Sequence, residues 1–230
     1  MSIAENISKI EERIAKAALK AGRDPGSVRL VAVSKTKPAA AIAEAYGCGQ
    51  RIFGENYVQE LVGKHPELPG EIRWHFIGNL QSNKVRQIAG MVDLIHSVDR
   101  LSLATEIDRQ WGALGKVCDV LIQVNISREA TKGGTTGEEL LALVREVARL
   151  PHVRICGLMT MPPFFDDPEG ARPYFRALRE LARELTAAAV PGVEMRELSM
   201  GMSGDFEAAI EEGATLVRVG SALFGEREYR

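Results

Sequence analysis

At 230 residues the chain is long enough for one α/β barrel and its core, and a single domain over 1–230 is expected. Its 29 basic and 31 acidic residues are spread along the chain and leave a formal charge of −2, which gives no electrostatic footprint for nucleic acid or an anionic membrane surface. The three cysteines, Cys48, Cys118 and Cys156, form no C-x-x-C pair and read as small hydrophobes of a reducing compartment, with no disulfide or metal framework.

Ile3, Ile7, Ile10 and Ile14 recur at helical spacing with Glu5, Glu11 and Glu12 among them, so the chain opens on an amphipathic helix and lacks the basic start and apolar block of a signal peptide. That helix is expected to stop near Gly22, with Asp24-Pro25-Gly26 as the turn. No apolar stretch reaches the ~18 residues of a membrane helix. The expectation is a cytoplasmic protein, in which the Asn-Ile-Ser sequons at Asn6 and Asn125 carry no meaning.

Beyond the turn, β-branched or aromatic runs alternate with segments of helical period. Strands are expected at 29–35, 51–55, 73–78, 94–98, 119–125, 154–160, 197–200 and 216–222. Helices fit at 38–46, 57–65, 79–89, 100–114, 137–150, 169–188 and 205–212. Eight strands separated by helices in this length fit a closed parallel (β/α)8 TIM-type barrel better than a doubly wound open sheet. No Pro/Gly/Ser-rich linker divides them.

In such a barrel the loops after the strands build the site. The side chains expected at those edges are Lys35, Glu55-Asn56, Asn79, His96-Ser97, Asn125, Thr160, Ser199, and Arg218 with Gly220-Ser221. Lys35 ends the run Leu30-Val31-Ala32-Val33-Ser34. An ammonium among apolar residues loses its proton readily, and the neutral amine attacks a carbonyl to form a Schiff base. Lys37 shares the parity of Lys35 and stays open as a second candidate, although Pro38 starts the next helix and assigns Lys37 to the loop.

Ser203 and Gly204 precede a helix, and Gly220 and Ser221 follow the last strand, so the seventh and eighth loops offer N–H groups and hydroxyls to a phosphate. Ser203 or Asp205 would equally serve as a helix N-cap. Arg218 alternates with Val217 and Val219 and points to the other side of its strand, where it needs an acceptor from a ligand or from a carboxylate such as Glu197. His75 sits mid-strand, as hydrogen-bonded core histidines do. An amine facing a phosphate cradle points to a phosphate-bearing aldehyde cofactor. No Ser-His-Asp order, Walker loop, H-E-x-x-H or G-x-G-x-x-G is present, and the acidic run 166–169 reads as a helix start.

Val33-Ser34-Lys35-Thr36-Lys37, Phe53-Gly54-Glu55-Asn56-Tyr57, the run 74–84 from Trp74-His75-Phe76 to Lys84, and the segment 198–206 resemble the pyridoxal phosphate homeostasis protein family. Segments 122–126, 157–160 and 217–225 extend the resemblance over essentially the whole chain. It implies the barrel of the alanine racemase N-terminal domain, a fold type III site for pyridoxal 5′-phosphate (PLP). It further implies an internal aldimine on Lys35, Asn56 and His75 beside the cofactor, and Arg218 at the pyridine nitrogen. Ser203, Gly204, Gly220 and Ser221 would hold the phosphate. Loop 129–136 and Met161-Pro162-Pro163-Phe164-Phe165 depart from the family pattern, which bears on loop shape and partner contacts.

The resemblance also implies a carrier and regulator of the PLP pool, and not an enzyme; PLP-requiring apoenzymes are the expected partners, and a monomer is expected. Racemisation needs acid/base groups on both faces of the bound ring. In alanine racemase the opposing tyrosine comes from an added β domain of the partner subunit, which a chain stopping at Arg230 is not expected to hold. The alternative is a small PLP-dependent amino-acid racemase using Tyr57 or water as second base. A lysine Schiff-base aldolase acting on a sugar phosphate without a cofactor is a third reading.

Overall fold

In the computed structural model, which describes residues 2–129 and 132–225, eight parallel strands close into a barrel in chain order. They are β1 (Arg29–Val33), β2 (Ile52–Glu55), β3 (Arg73–Phe76), β4 (Leu94–Val98), β5 (Cys118–Gln123), β6 (Val153–Met159), β7 (Glu197–Ser199) and β8 (Leu216–Val219), with β8 pairing back onto β1. The expected (β/α)8 barrel is the fold. Around it lie α1 (Ile3–Lys20), α2 (Ala39–Gly47), α3 (Val58–Lys64), α4 (Val85–Ile88), α5 (Leu101–Gly112), α6 (Gly137–Val147), α7 (Arg172–Ala187), α8 (Phe206–Glu211) and α9 (Ser221–Phe224). No helix among the described residues is long and apolar enough to cross a membrane.

The extra first helix starts at a capping box between Ser2 and Glu5, and its stripe of Ile7, Ile10, Ile14, Ala17 and Ala18 is buried as α1 packs on α8 and α9. The Asn6 amide donates to the Leu223 carbonyl at 2.9 Å, tying this helix to α9.

Three expected boundaries are corrected at the functional edge of the barrel. The first strand stops at Val33, because Lys37 N–H turns back to the Ser34 carbonyl at 3.0 Å and Thr36 adopts φ 64. Lys35 therefore sits in a turn beyond the strand. The last strand stops at Val219, because the Leu223 and Phe224 N–H groups both return to the Gly220 carbonyl at 2.9 Å and start α9. The helix expected at 79–89 shrinks to a 3-10 turn, Ser82–Lys84, and α4, because Gln81 is still extended at ψ 138.

Strand alternation divides the core. Leu30, Ala32, Val217 and Val219 face the helices in one large cluster, while Val31, Ile52, Leu94, Leu121, Cys156, Met159 and Leu216 fill the barrel interior. Nearer the carboxyl edge the interior turns polar, with His75, His96, Ser199 and Arg218 all buried. The β5–β6 register shifts between Val120 and Leu121, and β6 comes so close to β7 that a Cβ on Gly157 would lie 1.9 Å from the Glu197 carbonyl oxygen. Between β7 and β8 the register is one pair, Ser199 with Leu216.

Candidate cofactor site

A cavity of about 490 Å³ opens where the loops after β1, β6, β7 and β8 meet, a volume in the range of small-molecule sites. Lys35, Ser203, Gly204, Arg218, Gly220 and Ser221 share its lining, so the pairing of β8 with β1 brings together residues far apart in sequence. Asn56 and His75 stand outside that lining. Lys35 is half-buried. Lys37 lines the same cavity, and its Nζ donates to the Phe224 carbonyl at 3.1 Å.

The loops after β7 and β8 converge, with the Ser203 and Ser221 hydroxyls 3.3 Å apart. The backbone N–H groups of Ser203, Gly204 and Ser221 have no acceptor among the described residues. Space above Gly204 is open, since a Cβ built there meets nothing within 4 Å. Orphan donors around open space are what an oxyanion binds. Asp205 precedes α8 without capping it through its side chain; its Oδ1 instead accepts the Met202 N–H at 2.6 Å. Burial pushes the Asp205 carboxyl up.

Arg218 is wedged in the barrel interior at 4 % exposure. Its Nη1 donates to Ser199 Oγ at 2.5 Å and its Nη2 to the Thr160 carbonyl at 3.0 Å. Glu197 is not its acceptor, because that carboxylate is taken by Arg29 and by the Thr215 hydroxyl on the opposite end of the barrel. Burial lowers the Arg218 guanidinium to about 10, so it stays charged at neutral pH. Ser199 Oγ lies 2.9 Å from His96 Nδ1, and His96 Nε2 lies 3.0 Å from His75 Nδ1. His75 is thus the hydrogen-bonded core histidine that its mid-strand position implies, and it reaches Arg218 through His96 and Ser199. Burial, reinforced by Arg73 and Arg29, lowers His75 to about 3, and burial beside His75 and Arg218 holds His96 well below its ordinary value.

Asn56 is set by a close backbone approach. A Cβ on Gly78 would lie 2.2 Å from the Asn56 carbonyl oxygen, so only glycine lets the β3 loop lie against the β2 loop. Asn56 Oδ1 is buried and has no partner, a polar atom waiting for a donor. Glu55, grouped with Asn56 in the sequence, points the other way: it is buried under α3 and accepts from Ser34 Oγ at 2.7 Å and Lys64 Nζ at 2.8 Å. Asn125 braces its own loop through the carbonyls of Glu129 and Lys132, while Ala130 and Thr131 of that departing loop lie outside the described residues. Phe164 of the other departing loop lines the cavity and is 87 % exposed. Among the described residues no His, Cys, Asp or Glu cluster is arranged to hold a metal ion.

The model of the family described as the alanine racemase N-terminal domain matches residues 3–228. The pyridoxal phosphate homeostasis protein of Aquifex aeolicus is 50% identical over 230 residues, covering 100% of both chains. The chain belongs to the pyridoxal phosphate homeostasis protein family. Its Escherichia coli K12 member is 48% identical over 236 residues, covering 99% of this chain and 97% of that one. Among solved structures, PipY of Synechococcus elongatus with PLP bound superposes with a TM-score of 0.84 at 41% identity, covering 97% of this chain and 100% of that one. Alanine racemase from Corynebacterium glutamicum has a TM-score of 0.74 at 15% identity over 97% of this chain and 61% of its own, a likeness of fold.

Proposed function

We propose that this chain reversibly holds pyridoxal 5′-phosphate on Lys35 and serves PLP homeostasis as a carrier. The observation that carries the reading is the convergence of Lys35, the two serine-bearing loops and a buried arginine on a single cavity, in a family whose PipY member has been solved with PLP bound. When bound, the cofactor supplies an electrophilic carbonyl carbon and a pyridine ring that withdraws electrons.

Each residue then has a physical task. Lys35 provides the amine that attaches the carbonyl carbon. The N–H groups of Ser203, Gly204 and Ser221, the two hydroxyls and the close turn at Gly220 bind the phosphate. Arg218, fixed by Ser199 and Thr160 and with donors to spare, offers an N–H to the ring nitrogen and keeps its own proton. That leaves the ring a weaker electron sink, which does not by itself separate a carrier from a catalyst. Asn56, outside the cavity lining but with a buried, unpartnered Oδ1, is the remaining polar group proposed to meet the cofactor.

Tyr57, the candidate second base of a racemase, is 52 % exposed at the start of α3 and outside the cavity lining, which supports the carrier reading. The test is titration with PLP while the yellow imine band is followed, borohydride reduction, and peptide mapping of the adduct. An adduct confined to Lys35 upholds the assignment; one on Lys37 or scattered lysines overturns it. Solvent deuterium entering the α-carbon of alanine or serine, dependent on Lys35, would replace the carrier with a racemase.

A further inference from the structure

The turn that presents Lys35 is held from outside the cavity. Thr36 sits at φ 64, a left-handed conformation that a β-branched residue enters only at a cost. Its N–H donates to Glu60 Oε2 on α3 at 2.7 Å. On the other side of Lys35, the Ser34 carbonyl accepts from Lys64 Nζ at 3.0 Å, and the same ammonium donates to Glu60 Oε2 at 2.7 Å and to Glu55 Oε1 at 2.8 Å. Glu55 in turn takes the Ser34 hydroxyl. The Lys64 side chain is 13% exposed and that of Glu55 0%, so the Lys64–Glu55 bond is sheltered from water, while Glu60, at 27%, holds Thr36 nearer the surface. None of the three charged residues lines the cavity.

We propose that Glu60, Lys64 and Glu55 are positioning residues that aim Lys35 into the cavity and discriminate it from Lys37. The inference rests on the covalent role proposed for Lys35. Without the brace, Thr36 relaxes toward negative φ, and that rotation lies between the two lysines. The peptide on which Lys37 is carried then turns relative to that of Lys35, and either amine reaches the cofactor. With the brace, Lys37 stays on the Phe224 carbonyl.

Wild-type protein and the variants Glu60→Ala, Glu60→Gln, Lys64→Met and Lys64→Arg are loaded with PLP, sampled by borohydride over time, and the adducts mapped. A wild-type adduct on Lys35 establishes the premise; a wild-type adduct elsewhere removes both the premise and this proposal. Given the premise, Glu60→Ala and Lys64→Met are expected to slow Lys35 labelling about tenfold, the worth of one charge-assisted hydrogen bond, and to divert adduct to Lys37. Glu60→Gln, which keeps an acceptor for the Thr36 N–H, and Lys64→Arg, which keeps a cation, hold the adduct on Lys35. Wild-type rates with labelling confined to Lys35 in Glu60→Ala and Lys64→Met overturn the proposal. So does loss of labelling at every lysine together with loss of the thermal transition, which would make the cluster purely structural.

Discussion

Arg218 Nη1 donates to Ser199 Oγ at 2.5 Å, and that one hydroxyl connects the guanidinium to the imidazole pair. Arginine has only donors, so the serine oxygen accepts from it and the serine proton goes to His96 Nδ1. His96 Nε2–H then donates to His75 Nδ1. The reverse orientation would leave the Ser199 proton without an acceptor among the described residues. One direction of hydrogen bonding therefore runs from Arg218 through the barrel interior.

Ser199→Ala breaks that run in the middle. It strips an acceptor from a buried cation and a donor from His96, and the expected cost is about 1–3 kcal/mol of stability. The urea midpoint reports it. The PLP band, if Arg218 meets the ring nitrogen, shifts in the same variant.

The imidazole pair makes stability depend on pH. Both rings have folded-state values far below the ordinary 6.5, with His75 at about 3, so they remain neutral in the folded barrel while an unfolded chain protonates them. Between pH 6.5 and pH 3 the unfolded state binds more protons, and stability is lost as pH falls through that window. Urea melts at pH 7 and pH 5 should show the loss, and His96→Gln should lessen it, leaving the part due to His75.

The serine pair separates phosphate from ring. Ser203→Ala and Ser221→Ala each remove a hydroxyl donor, and each is expected to weaken PLP binding roughly tenfold. Pyridoxal, which lacks the phosphate, should bind wild type and variants alike. Parallel absorbance titrations with the two ligands check both halves.

Gly78→Ala forces the β3 loop away from Asn56, since the added carbon would lie 2.2 Å from a backbone oxygen that cannot rotate aside. The expected destabilisation is about 1–3 kcal/mol, the cost of overpacking. Thermal unfolding measures it, and a weaker PLP titration reports the displaced Asn56.

The barrel was legible because each strand is a short β-branched run followed by a helical period, and the phosphate loops were legible because small hydroxyl residues follow the last two strands. Closure of β8 on β1 then delivers Lys35 to them. The His96–Ser199–Arg218 link was not legible: each residue has ordinary strand parity, and His96 on β4 meets Ser199 on β7 across the barrel interior, between strands that are neither paired nor consecutive. Glu60 and Lys64 stand four residues apart on a helix, and nothing local reveals that a turn docks onto them. The end of β1 was misplaced because Thr36 occupies a left-handed position that usually announces itself with glycine or asparagine.

Only one register pair joins β7 and β8, and Arg218 reinforces this seam from β8, one Nη donating to Ser199 and the other to the carbonyl of Thr160 beyond β6. A phosphate gripped by Ser203 on one side and Ser221 on the other would clasp the same seam from above. Amide hydrogen exchange along 197–201 and 216–220 should then slow when PLP is added, and slow less with pyridoxal. Cofactor loading would thereby be felt as tightening of the wall itself.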